Sequence, residues 1–506
     1  MNYIVKHNQM YQAECSAADR GIGFSLLMEK AGTVCAELIA LNYPDAETAL
    51  IICGKGKNGG DGYVIARILA AKGYKIKILA PYGMPSDDIS VINMKLVDKA
   101  DIYETEDYQT LIDDSDIIVD ALFGTGFKGT LDEKLSALAD AVNKSGKDVI
   151  AVDIPSGAEC DSGEIHGTCF EADMTIAISA LKPIHVIKPA RNVCGKIEIG
   201  DIGIIPSDFD GINPLEYTVG EKEIGKMLPE RPENSNKGTF GNALIIAGSK
   251  NMPGAAKIAS AGAIKCGAGL VTLAFPDAAY NAIAPSVTEQ VILPCKSNDS
   301  GTFSQNALDQ ILEKAKKCSS VLIGCGMGLN TDTRRLINRI IREIEVPLVI
   351  DADGLNAAAK NPYILSEAKA HVILTPHPGE MSRLTGKTVE EIIANPWEIA
   401  KEFADKYNCT VILKGANTVI ASCGCKEIYV NTTGNSGLAK GGSGDLLAGM
   451  LVSLLAQGMK PIDAAVTAVY IHGDCADEVA MFSSERGMTV SDMISYLPSY
   501  FEKYER

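Results

Sequence analysis

The chain has 506 residues, enough for roughly two to four domains, and its 46% apolar content excludes a disordered chain. Its 64 acidic residues outnumber 47 basic ones, and the net charge of −17 excludes a protein built around a basic face for nucleic acid or anionic membranes. The 14 cysteines follow no fixed spacing, and no uncharged apolar run reaches the length of a membrane span. We therefore expect a cytoplasmic protein with reduced thiols that binds neither nucleic acid nor membranes.

Short apolar runs alternate with helical patterns along the first half, which is typical of α/β proteins. Nearly continuous β-branched runs predict the buried strands of a parallel sheet. These runs cover residues 49–53, 116–123, 148–154 and 174–179. Between the first two strands, apolar residues recur at helical spacing and predict a crossover helix over residues 61–72.

A glycine-rich segment, GKGKNGGDG at residues 54–62, follows the first predicted strand. Glycines permit a sharp turn and close approach of a ligand to the backbone, and the following helix N-terminus offers N–H groups to a phosphate. Its spacing differs from the GxGxxG fingerprint of dehydrogenases. The segment therefore predicts a ligand loop of a different kind.

Two more loops follow predicted strands: FGTGFKG at 123–129, just after Asp120, and DIPSG at 153–157. Ligands of open parallel sheets bind outside the carboxyl ends of the strands. The three loops therefore predict one pocket. For any single aspartate, the alternative is a helix cap or a solvated turn.

In order along the chain, the motifs LMEKAG near Met28, KNGGDG, VDALFGTG and VDIPSG resemble the NAD(P)H-hydrate epimerase domain, over residues 1–215. The resemblance implies a Rossmann-like three-layer domain that interconverts the R and S epimers of hydrated NADH and NADPH. It implies a potassium ion held by Asn58, Asp120 and Ser156, whose oxygen atoms suit a hard cation. The implied substrate residues are Lys57, Asn58, Gly59, Gly60, Asp61, Gly124, Thr125, Gly126, Phe127, Lys128, Gly129 and Thr130, together with Asp153.

Inverting the hydroxyl-bearing carbon of the substrate needs a group that gives and takes a proton, and we expect Asp153 to be that catalytic residue. Ring opening and an iminium-like intermediate both remain open from the sequence. Lys57 departs from the family, which usually has Asn at this position.

From Pro206 to Gly241 prolines are frequent and apolar runs are few, which predicts a junction. A second α/β series follows, so the fold class is α/β in both halves. Its predicted strands cover residues 242–248, 270–275, 320–326, 347–353, 371–376 and 410–415. The last strong helix is predicted to begin at Asp445.

The segment NSGLAKGGSGD at residues 435–445 precedes this helix. Gly441, Gly442 and Gly444 let backbone N–H groups point into one concavity that suits phosphate oxygens, and the helix dipole reinforces it. Asp445 suits a base that takes a proton from a hydroxyl as its oxygen attacks a phosphate. The alternative is an aspartate that caps the helix.

The GGSGD motif resembles the ribokinase-like superfamily. With PENSNKGTFG, AGSKNMPGAA, IGCGMG, DADGLN, LTPHPGEMSRL and LKGANTVI, residues 225–506 resemble the ADP-dependent NAD(P)H-hydrate dehydratases. The resemblance implies Mg²⁺, with ADP as co-substrate. It places Ala255, Gly328, His377 and Asp445 at the hydrated dinucleotide. It places Lys414, Gly415, Ala416, Asn417, Thr418 and Gly444 at the adenine nucleotide, beside the glycine concavity of Gly441 and Gly442.

Three positions depart from the dehydratase pattern: Asn236, Cys325 and Lys440 replace the usual His, Pro and Thr. For His377 the alternative is a structural turn residue, and for Lys414 it is a cap of the strand.

The sequence thus predicts a bifunctional enzyme that epimerises NADH hydrate and NADPH hydrate and then dehydrates the S form with ADP. A hydroxyl kinase is the first alternative. The second is that the N-terminal half only senses or binds a ligand. We also expect a homo-oligomer.

Overall fold

The chain divides into two compact units, Asn2–Glu216 and Tyr217–Arg506. A computed structural model describes residues 2–98, 100–105, 107–213 and 215–505. Within these ranges no helix is both long and apolar enough to cross a membrane. The predicted junction contains a short 3₁₀ helix, Pro206–Phe209, and further regular elements.

The first unit is a parallel α/β structure. Its strands are β1 (Asn2–Ile4), β2 (Thr48–Cys53), β3 (Lys75–Leu79), β4 (Ala100–Tyr103), β5 (Ile117–Ala121), β6 (Asp148–Val152), β7 (Met174–Ile178) and β8 (Lys196–Gly200). Its helices are α1 (His7–Asp19), α2 (Phe24–Asn42), α3 (Lys57–Ala71), α4 (Asp88–Lys95), α5 (Gln109–Asp113) and α6 (Glu133–Lys144).

The sheet of this unit has the strand order β4-β3-β2-β5-β6-β7-β8, and all neighbours are parallel. Successive residues of β2 face opposite sides: Ile51 packs in the core that includes α2 and α3, and Leu50 packs in the core that includes α6. Helices therefore cover both faces of the sheet, as in a Rossmann-like three-layer domain. The order reverses between β2 and β5, which creates a crevice at the carboxyl ends of these strands.

The loop formed by the glycine-rich segment at residues 54–62 is shorter than the sequence predicted. Helix α3 begins at Lys57, so Gly59 and Gly60 belong to its first turns. A Cβ atom on Gly59 would lie 1.9 Å from the Gly54 oxygen, and one on Gly60 would lie 2.6 Å from Met28 Cε. These glycines serve close packing of the helix, which a sequence pattern cannot distinguish from a turn.

The second unit has a longer sheet. Its strands are β9 (Leu215–Thr218), which spans the boundary, β10 (Asn242–Ile246), β11 (Leu270–Pro276), β12 (Val291–Cys295), β13 (Ser320–Ile323), β14 (Leu348–Ile350), β15 (Val372–Leu374), β16 (Cys409–Leu413), β17 (Val419–Ser422) and β18 (Glu427–Val430). Its helices are α7 (Glu221–Met227), α8 (Pro253–Lys265), α9 (Tyr280–Ile283), α10 (Leu308–Ala315), α11 (Thr331–Glu343), α12 (Asp353–Ala358), α13 (Pro378–Thr385), α14 (Val389–Ala394), α15 (Pro396–Tyr407), α16 (Ser443–Ala456), α17 (Pro461–Ser483) and α18 (Val490–Phe501).

Strands β12-β11-β10-β13-β14-β15-β16 repeat the parallel order of the first unit, and β17 and β18 extend the sheet antiparallel. The order reverses between β10 and β13. Helix α16 packs on α8 near this point, and the loops after β13, β14, β15 and β16 lie at the same edge of the sheet.

The prediction that the helix from Asp445 is the last strong one was wrong, because α17 and α18 follow it. Helix α16 also begins two residues earlier, at Ser443. In α17 every residue from Ala464 to Gly473 is buried, so no polar face alternates with an apolar one. The periodic pattern that identifies an amphipathic helix is absent from such a segment.

The packing of α16 on α8 depends on Gly449, where a Cβ atom would lie 2.1 Å from the Ala259 oxygen. We predict that Gly449→Ala lowers the free energy of unfolding of the second unit by about 3 kcal/mol, since the helices must move apart. Gly254→Ala on α8 is the matched control, because its Cβ meets nothing within 4 Å. Calorimetric unfolding of the full chain measures both, and an unchanged transition in Gly449→Ala would contradict the contact.

Candidate functional site

The first unit contains a cavity of about 510 Å³ at the carboxyl ends of β2, β5 and β6, where the strand order reverses. Helix α1 contributes His7, Tyr11 and Glu14, and the loop after β7 contributes Lys182. Of the predicted substrate residues, those that line the cavity are Lys57, Asn58, Asp61, Gly124, Thr125, Gly126, Phe127, Lys128 and Asp153.

Four predicted substrate residues do not line this cavity. Gly59 and Gly60 pack inside the unit, as described above. Gly129 and Thr130 follow the lining part of the loop, and the Gly129 N–H donates to Glu159 Oε1 at 2.9 Å. This hydrogen bond fixes the end of the loop, whereas residues 124–128 line the cavity.

Asp153 directly follows β6 and has a φ of 69°, a left-handed conformation that is strained for a residue with a side chain. Its Oδ1 forms an ion pair with the Nζ of Lys182 and accepts the Ile178 N–H at 3.0 Å. The Lys182 side chain is 0% exposed, and its Nζ also donates to the Ile178 oxygen at 2.7 Å. The carboxylate of Asp153 is therefore fixed at the edge of the cavity.

His185 forms hydrogen bonds with the backbone of both residues of this ion pair. Its Nδ1 accepts the backbone N–H of Lys182 at 3.0 Å, so Nε2 carries the proton. Nε2 donates to the backbone carbonyl oxygen of Asp153 at 2.8 Å. Burial and the charge of Lys182 lower the pKa of His185 to about 3, so the ring is neutral. The sequence analysis missed Lys182 and His185, because a lysine and a histidine outside a motif give no sign of burial.

Asp120 and Ser156 lie behind the cavity, next to Asn58. Asp120 Oδ1 accepts the Ser156 hydroxyl at 2.7 Å, and Oδ2 accepts the Ser156 N–H at 2.7 Å. Asn58 Nδ2 donates to the Phe123 oxygen at 2.9 Å and to the Val152 oxygen at 3.2 Å. The structure thus brings the three predicted metal ligands together with two backbone carbonyls.

Asp120 is fully buried, and no lysine or arginine in the described ranges forms an ion pair with it. Burial raises its pKa to about 6, although the hydrogen bonds from Ser156 oppose the shift. Its hydrogen bonds come from the Ser156 hydroxyl and from the N–H groups of Ser156 and Leu122, which are neutral donors and do not balance the charge of a buried carboxylate. The residues present therefore fit a hard monovalent cation.

In the second unit, Asp351 and Lys414 form an ion pair at the carboxyl edge of the sheet. Lys414 Nζ lies 3.1 Å from Asp351 Oδ1, which also accepts the Thr375 hydroxyl at 2.7 Å. A Cβ atom on Gly444 would lie 3.3 Å from Lys414 Nζ, so this glycine lets α16 approach the ion pair. The sequence analysis assigned Lys414 to nucleotide or to a strand cap and did not single out Asp351 as its partner.

Asp445 lies in the first turn of α16, beside this ion pair. The N-cap residue of the helix is Gly442, with a φ of 95°, so the alternative of Asp445 as an N-cap is wrong. Burial raises the pKa of Asp445 to about 6, and the nearby charge of Asp351 adds to the shift. The Sγ atom of Cys325 and a carboxylate oxygen of each of Asp351 and Asp445 lie within 4.8 Å of one another.

The remaining predicted residues surround this group. His377 is the N-cap of α13: Nδ1 accepts the Gly379 N–H at 3.0 Å, which fits the turn alternative, yet half of its side chain is exposed. The Gly328 N–H donates to Asp353 Oδ2 at 2.8 Å. Ala255 packs against Gly326 of the loop after β13. Lys414, Gly415, Ala416, Asn417 and Thr418 connect β16 and β17, and Gly441 is exposed before α16.

Comparison with known proteins matches both units. Residues 243–499 match the family described as NAD(P)H-hydrate dehydratase, and residues 25–184 match the family described as YjeF-related protein N-terminus. The bifunctional NAD(P)H-hydrate repair enzyme Nnr of Moorella thermoacetica is 34% identical over 99% of this chain and 97% of its own length. The protein of the same name from Thermofilum pendens is 35% identical over 96% of this chain and 93% of its own length.

A solved ribokinase-like superfamily protein from Enterococcus faecalis is 24% identical, with a TM-score of 0.50, and covers 57% of this chain and 96% of its own length. This match and the parallel sheets of the two units confirm the predicted α/β fold class.

The Asp153–Lys182 ion pair gives a direct test of the first site. Lys182→Met leaves the Asp153 carboxylate without its partner, and we predict a loss of about 3 kcal/mol of unfolding free energy at pH 8. Urea unfolding measures it, with Lys196→Met, a 60% exposed lysine of the same unit, as the control. Equal, small losses in both variants would contradict the buried pair.

Proposed function

The chain belongs to the family of bifunctional NAD(P)H-hydrate repair enzymes, and we propose that its two units catalyse successive steps of this repair. The first unit interconverts the R and S epimers of NADH and NADPH hydrates. The second dehydrates the S epimer with ADP. The observation that carries the proposal is the 34% identity to a bifunctional relative over 99% of the chain, since it spans both sites.

In the first unit, the hydrated nicotinamide ring lies in the 510 Å³ cavity next to Asp153. The loop Gly124–Lys128 and Lys57 hold the charged part of the dinucleotide, because backbone N–H groups and an ammonium favour phosphate oxygens. Asp153, held by Lys182, accepts a proton during inversion of the hydroxyl-bearing carbon. Gly129 and Thr130 hold the loop, and Gly59 and Gly60 hold the helix beneath the substrate.

Potassium fits behind this cavity, where Asn58, Asp120 and Ser156 offer oxygen atoms and Asp120 lacks a cationic partner. A bound cation supplies the missing charge and orders the loop after β5. The proposed cation therefore affects the chemistry by positioning the loop after β5.

In the second unit, the reaction needs a better leaving group than hydroxide. Phosphorylation of the substrate hydroxyl by ADP provides one, and elimination of phosphate with a proton from the neighbouring carbon restores the dihydronicotinamide. Asp445 accepts the proton of the hydroxyl as its oxygen attacks phosphorus, and a pKa of about 6 leaves it ionised at neutral pH. Ala255, Gly328 and His377 border the substrate side.

The glycine concavity of Gly441, Gly442 and Gly444 receives the phosphate oxygens at the N-terminus of α16, and Lys414 adds a positive charge. The segment from Gly415 to Thr418 borders the adenine nucleotide. Mg²⁺ suits the carboxylate oxygens of Asp351 and Asp445 and neutralises phosphate charge when bound. Location in the cytoplasm and assembly into a homo-oligomer stay predictions.

The dehydratase is tested by the return of NADH absorbance from a mixture of the two NADH hydrates. With Mg²⁺ and ADP we predict recovery, and without nucleotide we predict none. Asp445→Asn should lower the rate by about 10²–10⁴-fold, since it removes the proton acceptor. Asp309→Asn, an exposed aspartate in the first turn of α10, is the control and should match the wild type. A phosphorylated product that accumulates without NADH would favour the hydroxyl kinase instead.

The potassium site is tested by thermal unfolding of the first unit in potassium or tetramethylammonium chloride at equal ionic strength. Because burial raises the pKa of Asp120 to about 6, its carboxylate needs a cation at pH 8 and is protonated at pH 5. We predict that K⁺ raises the unfolding temperature at pH 8 and not at pH 5. Asp120→Asn should lose the response, whereas Asp140→Asn, an exposed residue on α6, should keep it. A K⁺ response that survives Asp120→Asn would contradict the site.

A further inference from the structure

One carboxyl group of the first cavity is assigned to the substrate neither by the sequence nor by the function proposed above. Glu14 lies on α1, is half-buried and lines the same cavity as Asp153. No hydrogen bond or ion pair joins its side chain to another residue of the described ranges. A carboxyl group that faces a ligand cavity without a protein partner is available to a bound substrate.

Charged and titratable groups from five segments line the cavity together with Glu14. They are His7 and Tyr11 from α1, Lys57 and Asp61 from α3, Lys128 from the loop after β5, Asp153 from the end of β6, and Lys182 from the loop after β7. Burial raises the pKa of Glu14, Lys57 opposes this shift, and the charge of Asp153 adds to it. Burial and the charge of Asp153 therefore both favour the protonated form of Glu14.

The environments of Glu14 and Asp153 differ in kind. Asp153 contacts the Lys182 ammonium and a backbone N–H, both of which stabilise a carboxylate. Glu14 has neither. Two carboxyl groups at one substrate with opposite preferences for the proton are the arrangement that acid–base catalysis needs. Asp61 lines the same cavity and is more buried than Glu14, and burial raises its pKa as well.

We propose that Glu14 is a second catalytic residue of the epimerase and donates a proton to the substrate hydroxyl, while Asp153 accepts a proton from the water that replaces it. This inference rests on the epimerase activity proposed for the first unit.

In the R-to-S direction, the Glu14 carboxylic acid gives its proton to the hydroxyl oxygen, the carbon–oxygen bond breaks, and water leaves with the bonding electrons. The ring nitrogen lone pair forms a nitrogen–carbon double bond, which gives an iminium cation. Water then adds to the other face of the carbon, the electron pair returns to nitrogen, and Asp153 takes the extra proton. The S-to-R direction uses the reverse proton transfers, so no other reactant is consumed.

The charge of the cavity favours this path over ring opening. The iminium ion carries a positive charge that the substrate ring lacks, and Glu14, which has become a carboxylate by giving up its proton, lines the same cavity as Asp153. Fixed negative groups stabilise a cation that exists only during the reaction. Ring opening to an aldehyde breaks the ring nitrogen–carbon bond and requires no oxygen from solvent, so the two paths differ in the fate of the oxygen atom.

The test uses the full chain without adenine nucleotide, so that dehydration does not consume the substrate. Pure R NADH hydrate is incubated in ¹⁸O-labelled water, epimer exchange is followed by NMR, and mass spectrometry counts the label. A sample without enzyme corrects for spontaneous exchange. For the wild type we expect one solvent oxygen per inversion, and a rate that falls with rising pH as Glu14 loses its proton.

Three variants separate the acid from a structural role. Glu14→Gln keeps the shape but has no proton to give, and should lower both exchange and labelling by about 10²–10⁴-fold and remove the loss at high pH. Glu14→Asp keeps the acid and should retain that pH dependence at a lower rate. Asp19→Asn, an exposed residue of the same helix, should behave as the wild type. Thermal unfolding of each variant checks that the unit is folded.

The inference is overturned if Glu14→Gln epimerises at the wild-type rate, or if the wild type inverts the substrate without taking up solvent oxygen. Absence of any epimer exchange in the wild type would instead contradict the proposed epimerase function, and the inference with it.

Discussion

In each unit a lysine forms an ion pair with an aspartate at the carboxyl edge of the parallel sheet, beside the proposed reacting groups. Lys182 pairs with Asp153 in the first, and Lys414 pairs with Asp351 in the second. The charge of each aspartate acts on a second carboxyl group nearby. Burial and this neighbouring charge raise the pKa of Glu14 in the first unit and of Asp445 in the second. Each unit thus places a carboxyl group with a raised pKa beside a lysine–aspartate ion pair.

The two sheets share one parallel strand order, which places these pairs at equivalent points. Asp153 follows β6 and Asp351 follows β14, the fifth parallel strand of each unit in chain order. The backbone is strained at both points: Asp153 has a φ of 69°, and Ala352, the next residue after Asp351, has a φ of 47°. Such conformations persist only where surrounding contacts impose them. The strain therefore accompanies the placement of the charged pair in each unit.

Much of this architecture could be predicted from the sequence, because β-branched runs and glycine-rich loops have few structural alternatives. Some predicted strands extended past the strands of the structure. The strand predicted over residues 116–123 includes Leu122, which is buried like the strand before it although it lies in a loop. Helix α17 was missed because burial on all sides removes its periodicity. Glu14 and Lys182 were missed for another reason: single charged residues in ordinary segments acquire their roles only through burial and neighbours brought together by the fold.

The central claim is that the two units act in sequence on one substrate, and the most direct measurement starts from pure R NADH hydrate with Mg²⁺ and ADP. The wild type should form NADH after a lag in which the S epimer appears. Asp153→Asn should stop NADH formation from the R epimer beyond spontaneous exchange and leave its formation from the S epimer intact, whereas Asp148→Asn, an exposed residue at the other end of β6, should keep both. NADH formed from the R epimer at the wild-type rate in Asp153→Asn would contradict the account.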